Sequence, residues 1–401
     1  MALHDLTSYF NPDDLAQLDG KKFPRKRYLF QDLLQDEGKH FAGIIGPRGT
    51  GKTVLLKQLR NETKNSIYIS LDTLQDDLFE LIHILSRDFK IHTFFLDEIH
   101  AVPDLHGLLK KIFDFLNVRI IFTSSVALAM HASSYDLSRR VLLYYLDNFS
   151  LAEYVYFKYN KVLPPLTLNQ IIEGENLSPY MHLSAYFNEY LQGANLPFAL
   201  QEPGYLSLLK AVLDKIIQYD IPMVQTLRTD ELPVIRDFVT FIGRSGIDGI
   251  NYSTLAHNLN ITKYKARQYL ELLEKAFVVK QVFPGGTNVM KEPKVLLTLP
   301  YRLLFKDYHD AVGPLREDFF VSAMNTAGYD LMYLKSTRGS KTPDYMLKED
   351  KSYIFEIGGP GKGRSRFKGI HADRKIIFSH STQLDKNTRP LFLLGFLTGH
   401  S

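Results

Sequence analysis

The chain has 401 residues, of which 45% are hydrophobic and 23% charged. This composition excludes wholesale disorder and, at roughly 100–200 residues per domain, implies two or three cores. Cysteine is absent, which excludes disulfides, thiolate metal ligands, iron–sulfur clusters and thiol nucleophiles, and suits a reducing cytoplasm. The opening MALHDLTSYFNPDD lacks a basic stretch followed by an apolar run, and no apolar run approaches the ~18 residues that span a bilayer. A soluble, cytoplasmic protein is expected. The net charge of +4 is uneven: residues 251–401 hold 23 basic and 14 acidic residues, a balance of +9, against −5 for residues 1–250. A basic C-terminal part either attracts phosphate backbones or is a solvated surface with a sign bias.

In chain order, His40 to Ile45 reads as a short buried strand. Gly46-Pro47-Arg48-Gly49-Thr50-Gly51-Lys52-Thr53 follows at once and matches G-x-x-x-x-G-K-[ST] completely. The glycines let the backbone curl, so that successive N–H groups point at a β-phosphate. Lys52 reaches the β- and γ-phosphates of ATP, and the Thr53 hydroxyl ligates Mg²⁺. A helix starting near Gly51 adds its positive dipole end. Ser66 to Leu71 is a second strand, and Thr93 to Glu98 a third that ends in two acids. Asp97 is expected to hold Mg²⁺ through water, and Glu98 to polarise the attacking water. Arg119 to Ser125 is a fourth strand, whose Ser124 either senses the γ-phosphate or satisfies strand-end backbone groups. Val141 to Leu146 is a fifth. Arg139 and Arg140 precede it, as an arginine finger for a neighbouring subunit of a homo-oligomer or as a solvated pair. Ser150 to Glu153 forms a capping box. Strands alternating with helices predict an α/β fold: a parallel sheet covered on both faces, with its ligand at the strands' carboxyl ends.

Residues 151–245 read as helices joined by proline-bearing turns. Tyr205 to Tyr219 carries Leu206, Leu209, Val212, Leu213 and Ile216 at the spacing of one helix face. Residues 246–300 carry a winged-helix pattern, with a short helix from Tyr252 and a second capped by Thr262. Ala266, Tyr269, Leu270 and Leu273 face inward, and Lys263, Lys265 and Arg267 outward. The outward set suits contacts to duplex DNA, or the module only packs domains or binds protein. Residues 301–401 form a small α/β module. Gly313 opens a helix, Thr342 to Leu347 and Ser352 to Ile357 are strands, and Arg364, Arg366 and Lys368 lie in a basic run from Lys362 to Lys375. That run suits a DNA backbone groove or is a solvated loop.

The order GPRGTGKT, FFLDEIH, IIFTSS, the Arg140 strand and FSLAEY resembles the AAA-type P-loop ATPases of bacteria and archaea whose C-terminus carries a restriction-endonuclease-like domain. Tyr190 to Gly193 and Lys291 to Val295 continue the resemblance. Arg140 matches the arginine that this family places before its last strand, while Arg139 stands where glycine is usual. The resemblance implies an ATPase core over residues 1–150, a helical lid over 151–245, a winged helix over 246–300 and an endonuclease-like domain over 301–401. The last also resembles the P-D…(D/E)-x-K nuclease core. Asp344 and Glu356 match the two metal-binding acids and Glu317 the helix-borne acid, but position 358 is glycine where the lysine is expected. Lys362 or Lys341 stands in for it, or the module does not cleave. ATP hydrolysis that drives a motor or switch on DNA is the reading these features favour. An ATP-gated switch on a protein partner and an ATP-regulated nuclease are the alternatives.

Overall fold

The computed structural model describes residues 7–102, 104–125, 139–285, 292–334, 342–359, 367 and 371–398. The chain divides into two compact units, Met1–Asp147 and Asn148–Ser401. Within the second unit, apolar residues of the helical, hairpin-bearing and C-terminal segments share one core.

In the first unit, five short apolar runs become the parallel strands β1 (Phe41–Ile45), β2 (Ser66–Ser70), β3 (Thr93–Asp97), β4 (Arg119–Ser124) and β5 (Val141–Tyr145), in the order β2-β3-β4-β1-β5. Strands β1 and β3 are buried throughout and β4 in all but Arg119, as expected for a parallel sheet covered on both faces. Register sets Ile45 beside Ser124 and Tyr145, and Ser70 beside Asp97. All carboxyl ends therefore lie at one end of the sheet. Helices α1 (Thr7–Lys21), α2 (Leu29–Gln35), α3 (Lys52–Glu62), α4 (Leu78–Phe89) and α5 (Leu105–Phe115) flank it. The sequence reading missed α1 and α2. Buried Asp13 ties α1 in: it accepts from Arg60 of α3 at 2.7 and 2.6 Å and from the Tyr68 N–H of β2 at 2.7 Å.

The second unit begins with α6 (Leu151–Tyr159), whose Ser150–Glu153 capping box is present as expected. α7 (Leu168–Glu173), α8 (Tyr205–Lys215) and α9 (Glu231–Arg244) follow. The single helix expected from Tyr205 to Tyr219 gives way to a wider π turn over Ile216–Asp220, and Leu206 faces solvent. α10 (Tyr252–Asn258) and α11 (Lys263–Lys275) precede the antiparallel pair β6 (Val279–Val282) and β7 (Lys294–Leu297). Thr262 caps α11, and Ala266, Tyr269, Leu270 and Leu273 are buried, as the pattern requires.

α12 runs from Tyr308 to Thr326 with Pro314 inside it. It starts a turn and a half before the Gly313-Pro314 start read from the sequence. It packs Phe319, Phe320 and Met324 on the strands β8 (Leu331–Tyr333), β9 (Tyr345–Lys348), β10 (Ser352–Gly358), β11 (Arg374–Ser379) and β12 (Thr388–Pro390), ordered β12-β11-β10-β9-β8. β9 and β10 form an antiparallel hairpin, while β10, β11 and β12 are parallel. A fully buried Arg302–Asp318 pair at 2.7 Å holds the 3-10 turn Tyr301–Leu304 to α12, and Arg302 also donates to the Ile242 carbonyl of α9.

Candidate nucleotide site

The loop Gly46 to Gly51 leaves the carboxyl end of β1 and enters α3. A β-carbon at Gly46 would meet the Leu146 carbonyl oxygen at 2.2 Å, so no larger residue fits there. Gly51 sits at φ +88 with open space around it and caps α3 without a side chain. The first amides of α3 therefore have no side-chain cap and suit an anion. Lys52 is buried and its ammonium donates to the Gly46 and Pro47 carbonyls at 2.8 and 2.7 Å. Thr53 follows in the first turn of α3, and the Thr50 hydroxyl donates to the Pro47 carbonyl at 3.0 Å. Arg27, which the sequence reading did not single out, clamps the loop. Its guanidinium donates to the Thr50 carbonyl at 2.6 Å and to the Asp147 carbonyl at 2.8 Å. No motif marks it; its role appears only once the segment before α2 folds beside the loop.

Asp97 is buried at the carboxyl end of β3. Tyr68 donates to its Oδ2 at 2.8 Å and Thr123 to its Oδ1. Burial, and then the charge of Asp97, push the Tyr68 phenol far above its ordinary range, so it stays a donor. Glu98 takes a left-handed backbone at φ 54, a conformation that costs a non-glycine residue about 1–2 kcal/mol. Its N–H donates to the Thr123 hydroxyl at 3.0 Å, and its carboxylate accepts from Ser125 at 3.2 Å. His100 lies 3.2 Å and Arg48 3.9 Å from the same carboxylate. Ser124 is fully buried with its hydroxyl 3.5 Å from His100 Nδ1. Lys52, Thr53, Asp97, Glu98 and Ser124 thus share the carboxyl end of one sheet. Their donor set is that of a phosphate-and-Mg²⁺ site: amides and an ammonium for phosphate, a hydroxyl and a carboxylate for the metal.

Arg140 lies at the other end. Its carbonyl accepts from the Phe41 N–H at 2.8 Å at the start of β1, and its guanidinium pairs with Asp114 of α5 at 2.9 Å. A five-residue strand, about 16 Å, separates it from its own phosphate loop.

The β9–β10 register runs to Tyr345 opposite Phe355, so Asp344 falls opposite Glu356, both buried. Asp344 Oδ2 accepts from the Ile357 N–H at 2.8 Å. Glu317 turns instead to Lys294 of β7 at 2.7 Å and accepts from the Tyr345 hydroxyl at 3.0 Å. Burial opposes charge on Lys294, but Glu317, Asp344 and Asp248 outweigh it and hold its pKa above the ordinary value. Among the described residues no group of three or more His, Asp or Glu is placed to hold a metal ion.

On α11, Lys263 pairs with Glu292 at 2.5 Å, Lys265 with buried Glu231, and Arg267 with Glu271 at 2.7 Å. Each cation of the expected DNA-contacting face thus has its own carboxylate. Arg374 pairs with Glu173 at 2.7 Å. Lys341, Lys362, Arg364, Arg366 and Lys368 lie outside the described residues. No helix among the described residues is long and apolar enough to cross a membrane.

Residues 39–155 match the family model for the AAA domain, and residues 199–298 a domain of unknown function (DUF8612). No curated protein matches the chain. Among solved structures, a RuvB mutant of Thermotoga maritima is similar at 15% identity, with 68% of this chain and 89% of that chain covered and a TM-score of 0.30. A Walker-type ATPase of Pyrococcus abyssi is similar at 13% identity, with 69% and 91% covered and a TM-score of 0.37. The ORC1 protein of Aeropyrum pernix, solved in complex with DNA, is similar at 12% identity, with 77% and 94% covered and a TM-score of 0.30. These likenesses are distant; the family match, the phosphate loop and the strand order make residues 39–155 an AAA-type P-loop domain.

Proposed function

We propose that the chain is a Mg²⁺-dependent ATPase whose first unit hydrolyses ATP and whose second unit carries the output. The observation that supports this is the gathering of the phosphate loop, Asp97 and Glu98 at one end of the sheet, with Thr123 tied to both acids. The α3 amides and Lys52 hold the β- and γ-phosphates, and Thr53 and Asp97 hold the metal. Bound Mg²⁺ neutralises charge that develops on the phosphate oxygens. Glu98 orients the water and accepts its proton; Ser125 and His100 fix the carboxylate. Ser124 lies beside His100, at the place of a γ-phosphate sensor. Arg140, at the far end of its own sheet, serves only a neighbouring copy, so the finger role requires a homo-oligomer.

For the output, the carboxylate partners of Lys263, Lys265 and Arg267 favour a switch acting on a protein partner over a motor gripping DNA through α11. The winged-helix and endonuclease-like assignments of the second unit are part of the same proposal, with a non-cleaving role for Asp344 and Glu356. The test is steady-state ATP turnover with and without duplex DNA across a salt series. Turnover that is Mg²⁺-dependent and indifferent to DNA supports the protein-directed switch. Strong stimulation by DNA that fades with salt returns the motor reading.

A further inference from the structure

A further basic group of the second unit lies in the C-terminal sheet. Arg316 projects from α12 and is half-buried. Its Nε donates to Nδ1 of His380 at 2.9 Å, just past the carboxyl end of β11. The imidazole packs edge-on against Phe187 at 5.0 Å, which fixes the ring. The His380 N–H donates to the Gly358 carbonyl at 3.0 Å, so this residue is anchored to the end of β10 as well. A β-carbon at position 359 would stand 3.0 Å from Arg316 Nη1. Glycine there lets the guanidinium lie against the strand end.

The charge balance of this group is one-sided. Among the described residues no carboxylate forms an ion pair with Arg316. Its neighbours on α12 are committed elsewhere, Glu317 to Lys294 and Asp318 to Arg302. The partner it does have is a neutral ring: burial, and then the charge of Arg316, bring the His380 pKa down to about 4. His380 therefore orients the guanidinium without neutralising it. Nη1 and Nη2 have no hydrogen-bond acceptor among the described residues. A guanidinium held at Nε, with no acceptor for its terminal fork among the described residues, matches two oxygens of one anion. The position, at the carboxyl ends of the parallel strands β10 and β11, is where α/β sheets take ligands. The +9 balance of residues 251–401 favours a phosphate, especially a polyanionic one, over a lone carboxylate.

We propose that Arg316, positioned by His380, is a phosphate-binding site at the carboxyl end of β10 and β11. This goes beyond the ATPase reading and does not depend on it. The phosphate belongs either to a free phosphate or to a nucleic-acid backbone, and the test separates the two. The experiment uses the full chain carrying Lys52→Ala, so that the phosphate loop does not compete. Isothermal titrations with inorganic phosphate form one arm and with a short duplex oligonucleotide the other. We expect binding in at least one arm, weakened roughly tenfold or more by Arg316→Gln and severalfold by His380→Phe, which keeps the charge but loses the acceptor. Loss in the phosphate arm assigns a free phosphate; loss in the duplex arm alone assigns a backbone. Circular dichroism checks the fold; if Arg316→Gln does not fold, Arg316→Lys replaces it, with severalfold loss expected because the fork is gone. Absence of binding in both arms, or unchanged affinity in the Arg316 and His380 variants, overturns the site.

Discussion

Thr123 offers the sharpest single test of how the nucleotide site is built. Its side chain is fully buried, and one hydroxyl performs two tasks: it donates to Asp97 Oδ1 and accepts from the Glu98 N–H at 3.0 Å. Thr123→Val keeps the shape and removes both bonds. A buried donor left unpaired costs about 1–3 kcal/mol and a charged acceptor somewhat more, so a loss of about 3–5 kcal/mol is expected. That is a large share of a typical ~5–15 kcal/mol domain stability. Asp97 keeps its Tyr68 bond at 2.8 Å, so the core should survive. Glu98, held in a left-handed backbone, loses the bond that helps keep it there. A misplaced base costs up to roughly a hundredfold in rate. Urea unfolding and steady-state ATP turnover measure both effects, with Thr123→Ser as the control that retains the hydroxyl. A valine variant within about 0.5 kcal/mol of the parent and equal in turnover would refute the dual role of Thr123.

Three further outcomes follow from the second unit. The carboxyl of Glu231 is held down to about 2 by Lys265, then by the Arg228 N–H and Tyr269, against an ordinary 4.5. Its stabilisation is therefore complete above the ordinary value and is lost as pH falls from 4.5 through about 2. Urea midpoints across this window should fall for the parent, and Glu231→Gln should flatten that part of the decline. Lys263→Ala and Arg267→Ala should change duplex affinity by less than about twofold, since each cation already has a carboxylate; a tenfold loss in an anisotropy titration would make α11 a DNA surface. Supercoiled DNA incubated with Mn²⁺ should stay intact, because Gly358 has no side chain and Lys294 is bound to Glu317 at 2.7 Å. Nicking that disappears in Asp344→Ala would reverse that reading.

The strand, loop and helix of the candidate nucleotide site were legible in the sequence because the pattern is local. The residues from Gly46 to Thr53 are contiguous, and Asp97-Glu98 ends an apolar strand, so spacing alone assigned strand, loop and helix. What escaped was contact between segments distant in sequence. Arg27 meets the loop 23 residues further on, and no pattern within the segment before α2 marks it as a clamp. Thr123 read as part of a strand end, and its link to both acids exists only because β4 lies beside β3. On α11 the helical period sorted inward from outward residues correctly. It could not show that Glu231, Glu271 and Glu292 stand opposite the outward cations, two of them from other elements. Gly313-Pro314 looked like a helix start because proline favours first turns, yet α12 carries it in its interior. In the C-terminal module the two strands that carry Asp344 and Glu356 were read from the sequence, and their pairing as a hairpin came with the structure. So did the arrival of Lys294 from β7 at Glu317.

In the proposed function the phosphate loop and the two acids of β3 form one ATP-hydrolysing site. The most direct measurement pairs fluorescent-ATP binding with phosphate release for the parent, Glu98→Gln and Lys52→Ala. Glu98→Gln should bind ATP with near-parent affinity while its turnover falls a hundredfold or more, since the phosphate cradle and the metal-side groups remain and only the base is lost. Lys52→Ala should lose both binding and turnover. A Glu98→Gln variant that turns ATP over at the parent rate, or a parent chain that binds ATP no better than Lys52→Ala, would contradict the account.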